Sequence, residues 1–218
     1  MQRGRFTTAG GAGAASSLPE PVVTPRIDVK GRRLFIVRHC QSEANRDLRA
    51  EARGDSGLTE TGTKQAQSRA SHLRSLGVVG GTVVSSPLLR ASQTAREIAT
   101  ACGCGLSHDA RLAECDIGRL EGLSYSEVLA HVREGDVWVS PEVHGGESLE
   151  AVGERMFAAL NTALDTWADP IVIVSHAFAI VALLTRLGAD ALALENGEMI
   201  ELDLSEARSV RQSLQHAL

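Results

Sequence analysis

Apolar residues recur at two spacings along the chain, and the two spacings alternate from residue 31 onward. Short apolar runs bounded by turn residues predict five strands, the third of them weak, over 34–37, 82–84, 106–108, 171–174 and 199–204. Apolar positions three and four residues apart predict five helices, over 61–76, 88–101, 124–132, 147–167 and 178–187. Repeated strand–helix units favour an α/β fold: a three-layer sandwich with a mainly parallel sheet flanked by helices on both faces.

Candidate caps mark both ends of the first long helix. Thr61 carries a hydroxyl that can accept a hydrogen bond from the first turn, and Gly77 can end the last turn. We therefore expect this helix to run from Thr61 to Leu76.

Residues 1–30 differ from the rest of the chain. They are rich in Gly, Ala, Ser, Thr and Pro and show no apolar periodicity, which predicts a disordered N-terminal extension. Arg3 and Arg5 give weak support for organelle targeting, so a cytoplasmic protein is the main expectation. Residues 31–218 are long enough for one folded domain with a substantial core.

The composition of the chain argues against nucleic acid and membranes as partners. The formal net charge of −5 argues against a general nucleic-acid binder, and no apolar run reaches the length of a membrane span. The four cysteines form neither a zinc-type pattern nor a dense disulfide framework, so we expect reduced thiols. A few local arginines could still make a positive pocket on an acidic surface.

Three strand ends carry cationic side chains that an ordinary core does not need. The first strand leads into Arg38 and His39, the second into a segment containing Arg90, and the fourth into His176. If these strands are parallel, their carboxyl ends share one edge of the sheet, where ligand sites form in α/β folds. Two arginines and two histidines would then define an anion site.

A phosphate monoester suits this group of side chains. A neutral histidine can be phosphorylated, arginines can hold the phosphoryl oxygens, and a protonated carboxyl can supply the leaving group's proton. His39 is the candidate nucleophile, and Glu114, Glu121 and Glu147 are candidate acids that spacing alone does not separate. The arginines would supply the positive charge, so we expect no metal and no cofactor.

A second nucleophile competes in the same loop. Cys40 and Arg46 have the Cys-(five residues)-Arg spacing of cysteine-dependent phosphatases. The intervening segment contains Glu43 and no glycine, although a phosphate cradle of backbone N–H groups favours glycines and excludes acids. This alternative is disfavoured, but the cationic neighbours of Cys40 suggest a lowered thiol pKa and redox sensitivity.

Six strings in order along residues 31–204 resemble the histidine phosphatase superfamily, specifically its phosphoglycerate-mutase-like branch. They are IVRHCQSEAN, GLTETGTKQA, SSPLLRASQTA, RLAECDIGRLEGL, HGGES and IVIVSHA. The resemblance implies His39 as the phosphorylated nucleophile and Glu114 as the proton donor. It implies phosphate binding by Arg38, Arg90 and His176. It also places Ser42, Asn45 and Ala177 in the substrate pocket.

Two positions depart from that family pattern. Cys40 stands where a glycine is usual, so its side chain could crowd the pocket or strain a backbone that needs a positive φ. Ala177 replaces the glycine that normally follows the second histidine, a milder change because the backbone N–H remains.

The length of the segment between Glu114 and His176 favours a phosphatase over a mutase. Only 61 residues separate Glu114 from His176, whereas mutases of the family resembled carry a larger insert there. We therefore expect a phosphatase acting on a small phosphorylated metabolite, such as a sugar phosphate or phosphoglycerate, with residues 123–146 as a lid. Within that lid, Trp138 could stack on a sugar ring. A phosphoglycerate-mutase-type phosphotransferase and a non-catalytic phosphate-binding module remain alternatives, and a homodimer is possible.

Overall fold

The computed structural model describes residues 32–131, 140–189, 194–203 and 211–212. The predicted N-terminal extension, Trp138 and Leu204 lie outside these ranges, and so does part of the predicted lid. No helix in the described ranges has both the length and the apolar character to cross a bilayer.

A six-stranded sheet forms the centre of the described fold. Its strands are β1 (Leu34–Arg38), β2 (Thr82–Ser85), β3 (Gly105–His108), β4 (Ile171–Ser175), β5 (Met199–Asp203) and β6 (Arg211–Gln212). Their spatial order is β3-β2-β4-β1-β5-β6. The first four in this order are parallel, whereas β5 and β6 are antiparallel to their neighbours. The prediction of a mainly parallel sheet is confirmed.

Helices cover both faces of this sheet. They are α1 (Glu43–Arg46), α2 (Glu60–Ser75), α3 (Leu89–Cys102), α4 (Tyr125–Leu129), α5 (Leu149–Thr166) and α6 (Ala177–Arg186). Alternate β1 residues enter different apolar clusters: Phe35 and Val37 join residues of α2 and α3, whereas Leu34 and Ile36 join residues of α5 and α6. This alternation follows from the two-residue repeat of a strand. The three-layer α/β sandwich predicted from the sequence is therefore confirmed.

Helix α2 begins earlier than predicted. Thr59, not Thr61, is the N-cap, and its hydroxyl accepts a hydrogen bond from the N–H of Gly62 at 2.9 Å. A Cβ atom on Gly62 would lie only 2.0 Å from the carbonyl oxygen of Gln41, so the helix can approach this loop only at a glycine. The choice between the two threonines depends on that contact, which the local sequence does not contain.

The parallel strands β2, β4 and β1 are adjacent and in register near their carboxyl ends. Arg38 pairs with Ser175, and Ser85 pairs with Val174. The segments that follow these three strands therefore leave the sheet at the same edge. This arrangement confirms the condition on which the predicted anion site depends.

Candidate active site

A cavity of about 250 Å³ opens at this edge of the sheet. Its polar lining comes from the end of β1 and the segment after it, from α3, from the segment between β3 and α4, and from the first residue of α4. Its lining residues are Arg38, His39, Ser42, Asn45, Ala50, Glu51, Ala52, Arg90, Glu114, Ile117, Leu120, Tyr125, Val128, Ala177 and Phe178. Seven of the eight predicted site residues are therefore brought together on the cavity surface, and the eighth, His176, lies just behind it.

The ring of His39 is held in one tautomer. Its Nδ1 donates a hydrogen bond to the carbonyl oxygen of Cys40 at 2.8 Å, which leaves the lone pair on Nε2. Burial, followed by the positive charges of Arg90 and Arg38, keeps the pKa of His39 well below its usual value of 6.5. The imidazole is therefore neutral at physiological pH, as a nucleophilic nitrogen must be.

His176 packs against His39, with 5.0 Å between the ring centroids. The ring is fully buried, and Nε2 lies 2.8 Å from the hydroxyl oxygen of Ser86. Nδ1 has no hydrogen-bond partner among the described residues. Burial, followed by the electrostatic interaction with the His39 ring and by the positive charge of Arg90, keeps the pKa of His176 well below 6.5, so this ring is neutral too.

Ser86 was not identified as a site residue from the sequence. It follows β2 directly, at the same sheet edge as the histidines, and its hydroxyl fixes His176. Its place in the string SSPLLRASQTA, at the end of a predicted strand, was the available signal.

The two predicted phosphate-binding arginines have different environments. Arg38 donates from Nη1 to the carbonyl oxygen of Leu194 at 2.6 Å, but its Nε is buried without a hydrogen-bond partner in the described ranges. Arg90 is only 2% exposed, and its Nη1 lies 3.0 Å from Oε2 of Glu51. The Arg90 guanidinium also donates to the carbonyl oxygens of Glu51 and Gly54. Arg90 is thus fixed in place by the loop that carries Glu51.

Glu114 is the one candidate acid that lines the cavity. Its Oε1 accepts hydrogen bonds from the N–H groups of Cys115 and Ala179, at 2.9 and 3.0 Å. Burial raises the pKa of Glu114 above its usual value and outweighs the opposing effects of these N–H groups and of Arg90. A carboxyl with this shift holds its proton at a higher pH, which suits proton donation.

The other two candidate acids serve the scaffold around the cavity. Glu121 accepts hydrogen bonds from the backbone N–H groups of residues 52–54, the loop that contacts Arg90. Burial disfavours the charged form of Glu147, but hydrogen bonds from Arg155 and from the N–H of Asp116 outweigh burial and lower its pKa. An ionised, paired carboxylate is a poor proton donor.

Arg155 holds the backbone that carries Glu114. Its two Nη atoms donate to the carbonyl oxygens of Arg111, Ala113 and Glu114, at 2.7, 2.7 and 2.9 Å. Its Nε and Nη2 also donate to the two carboxylate oxygens of Glu147, at 3.0 and 2.8 Å. This bidentate pairing fixes the guanidinium plane, and through it the segment that presents Glu114.

The remaining polar wall centres on Asn45. Ser42 caps α1, and its backbone N–H and hydroxyl both donate to Oδ1 of Asn45, at 3.1 Å each. Nδ2 of Asn45 donates to the hydroxyl of Tyr125 at 3.1 Å, and Asn196 also donates to Asn45 at 3.0 Å. Ala177 begins α6 and lines the same cavity.

Cys40 is not placed as the resemblance led us to expect. The side chain is fully buried next to Gly197, outside the cavity lining, and the residue has no positive φ. Burial raises the pKa of its thiol to about 11, so the expected thiolate character is wrong. Arg46 pairs with Asp47 at the exposed end of α1. This geometry does not form the cradle of a cysteine-dependent phosphatase.

The comparisons with known proteins identify the family of this chain. The profile of the histidine phosphatase superfamily (branch 1) matches residues 34–214. The chain therefore belongs to the histidine phosphatase superfamily, as the six strings suggested.

Its relatives include proteins named for two reactions. The probable phosphoglycerate mutase GpmB of Cronobacter sakazakii is 37% identical over 171 residues, which cover 73% of this chain and 77% of that protein. The corresponding protein of Salmonella arizonae is 34% identical over 191 residues, covering 80% and 86%. The structure of a mycobacterial glucosyl-3-phosphoglycerate phosphatase in complex with VO3 matches with a TM-score of 0.68 and 28% identity, covering 85% of this chain and 98% of that one.

Proposed function

We propose that this protein is a phosphoric monoester hydrolase that works through a phosphohistidine on His39. One observation carries the proposal: two buried nitrogen atoms beside the neutral His39 ring, Nε of Arg38 and Nδ1 of His176, lack hydrogen-bond partners within the described structure. Buried polar atoms are nearly always paired, and phosphoryl oxygens would supply acceptors here. If the Ser86 hydroxyl donates to Nε2 of His176, Nδ1 carries the hydrogen that such an oxygen would accept.

In the first step, Nε2 of His39 forms a bond to phosphorus while the bond from phosphorus to the alcohol oxygen breaks. Glu114 transfers its proton to that oxygen, so the alcohol leaves in neutral form. In the second step, the Glu114 carboxylate takes a proton from water as the water oxygen attacks phosphorus. The bond between phosphorus and nitrogen then breaks, which releases phosphate and restores both side chains.

The remaining side chains orient the phosphoryl group. Arg38, Arg90 and His176 would stabilise charge on its oxygens. Ser42, Asn45 and the N–H of Ala177 would contact the substrate at the rim of the cavity. These cationic and N–H groups lead us to propose that no metal is needed, so a chelator should leave activity unchanged.

A mutase is the second candidate, because relatives at 37% and 34% identity are named as probable phosphoglycerate mutases. A mutase must protect its phosphorylated histidine from water and return the phosphoryl group to a second hydroxyl of its product. The short interval between Glu114 and His176 leaves fewer residues for such a cover, so hydrolysis is favoured.

A screen of small phosphomonoesters for release of inorganic phosphate tests the proposal. We expect release by the wild type and by Cys40→Ser, but none by His39→Ala. Trapped enzyme should carry an acid-labile phosphate that His39→Ala lacks. Phosphate release by His39→Ala, or its loss only in a folded Cys40→Ser variant, would overturn the assignment. Conversion of 3-phosphoglycerate to 2-phosphoglycerate without phosphate release would favour the mutase.

A further inference from the structure

The cavity contains a carboxylate that the proposed reaction does not use. Glu51 lines the cavity, and its side chain is 16% exposed. Its Oε2 lies 3.0 Å from Nη1 of Arg90 and accepts a hydrogen bond from the hydroxyl of Ser56 at 2.5 Å. Its Oε1 accepts a hydrogen bond from the N–H of Ser56 at 3.2 Å. The carboxylate is therefore held in one position against the proposed phosphate site.

This position changes the charge that a substrate meets. The described residues of the cavity lining include two arginines, Arg38 and Arg90, and Glu51 offsets one of their charges. The His39 ring is neutral, and the raised pKa of Glu114 favours its neutral form. A phosphoryl dianion alone exceeds the positive charge that remains.

The rest of the wall offers no described cation for a second anionic group. Apart from the polar residues already named and Tyr125, this wall is apolar and consists of Ala50, Ala52, Ile117, Leu120, Val128, Ala177 and Phe178. A substrate carboxylate placed there would lose its hydration without gaining an ion pair, which is costly. An uncharged alcohol group with an apolar face would instead bury apolar surface.

We propose that Glu51 is a specificity-determining residue that selects phosphomonoesters whose alcohol part carries no second negative charge. This inference rests on the proposed phosphate site and narrows its substrate class. The carboxylate repels a second anion and can accept a hydrogen bond from a hydroxyl or amino group of the substrate. Phosphoglycerates, after which several relatives are named, would be poor ligands of this chain.

A matched pair of compounds isolates the effect. Glycerol 3-phosphate and 3-phosphoglycerate share the phosphate and the carbon skeleton, but the first has a hydroxymethyl group where the second has a carboxylate. Their dissociation constants would be measured by calorimetry in the His39→Ala background, which removes turnover. The ratio of the two constants cancels any general effect of a variant on folding or on the phosphate site.

We expect the His39→Ala protein to bind glycerol 3-phosphate more tightly than 3-phosphoglycerate. Adding Glu51→Gln, which keeps the shape and removes the charge, should shift the ratio towards 3-phosphoglycerate by about tenfold or more. Adding Glu43→Gln removes an exposed charge from α1 that does not line the cavity, and it should leave the ratio unchanged.

Three results would overturn the inference: equal or tighter binding of 3-phosphoglycerate, a ratio unchanged by Glu51→Gln, or an equal shift with Glu43→Gln. Failure of the proposed reaction would look different. It would appear as absent phosphate release by the wild type, while the ratio of binding constants still responds to Glu51→Gln. Binding of neither compound in either background would count against the inference as well, because it requires a phosphate site in this cavity.

Discussion

Replacing Arg155 by lysine keeps the positive charge but removes the planar fork of donors that this side chain uses. Arg155 makes five hydrogen bonds, three to backbone carbonyl oxygens between Arg111 and Glu114 and two to Glu147. A lysine ammonium group has three protons on one nitrogen, so at least two of these acceptors lose their partner. Both Arg155 and Glu147 are mostly buried, at 19% and 26% exposed, so water replaces those bonds poorly.

The expected loss of stability follows from those two acceptors. A buried acceptor that loses its partner costs about 1–3 kcal/mol, so the loss of two partners in Arg155→Lys should lower the free energy of unfolding by roughly 2–6 kcal/mol. For a domain of this size, that loss lowers the melting temperature by about 4–24 °C. Thermal and urea unfolding followed by circular dichroism would measure both quantities. Arg74→Lys is the matched control, because Arg74 is exposed and donates to a single carbonyl oxygen, and we expect a change of about 0.5 kcal/mol or less.

A catalytic measurement separates the positioning of Glu114 from general destabilisation. An alkyl phosphate needs a proton on its leaving oxygen, whereas p-nitrophenyl phosphate has a leaving group that departs readily as an anion. Below its unfolding temperature, Arg155→Lys should therefore lose about tenfold or more in kcat on the alkyl ester and much less on the aryl ester. A melting temperature within about 2 °C of the wild type, or equal losses on both esters, would refute this reasoning.

Three further predictions follow from the buried groups around the cavity. His39 and His176 stay neutral in the folded protein, whereas the unfolded chain protonates both below about pH 6.5. The free energy of unfolding should therefore decrease as the pH is lowered below about 6.5, by up to about 2.7 kcal/mol per pH unit for the pair. Urea unfolding between pH 7 and pH 5 should show a smaller decrease in the free energy of unfolding for His39→Gln than for the wild type. An equal decrease would contradict the assignment of this pH dependence to His39. Cys40→Ser should keep its kcat but lose about 1–3 kcal/mol of stability, because a hydroxyl replaces a fully buried thiol. Peroxide should also leave the kcat of the wild type unchanged. Inactivation by peroxide that a reductant reverses would count against the burial of Cys40 outside the cavity. Ser86→Ala should lower kcat by about 10- to 100-fold by releasing His176, with melting temperature as the check on folding; an unchanged kcat would show that the hydroxyl does not position that ring.

The sequence predicted the fold well because the spacing of apolar residues in each segment matches the side chains that the folded strand or helix buries. The buried strands β1 and β4 read as short apolar runs, and α5 reads as a long helix with one apolar face. Boundaries were less accurate where tertiary contacts decide them, as at Thr59, where α2 must approach the loop at Gly62. The four-residue α1 and the two-residue β6 were missed because segments so short carry no period.

The site was predictable to the extent that its residues follow strands. Arg38, His39 and His176 stand at strand ends, so parallel strands alone predict their meeting. Glu51 and Arg155 were not predicted, because each acts through pairings with residues distant in the chain. The orientation of Cys40 away from the cavity also depends on the packing of neighbouring segments. The roles of the site residues remain predictions until variants are assayed.

The position of β4 between β1 and β2 has a consequence for biosynthesis. Strand β4 lies between β1, which leads to the proposed nucleophile His39, and β2, which leads to Arg90. It is the last of the four parallel strands to leave the ribosome. Until residue 175 emerges, β1 and β2 each expose an unpaired apolar edge, which is a template for misassociation. Nascent chains arrested before β4 should therefore depend on chaperones far more than chains arrested after it, and no amino-terminal fragment that ends before β4 should hydrolyse phosphate esters.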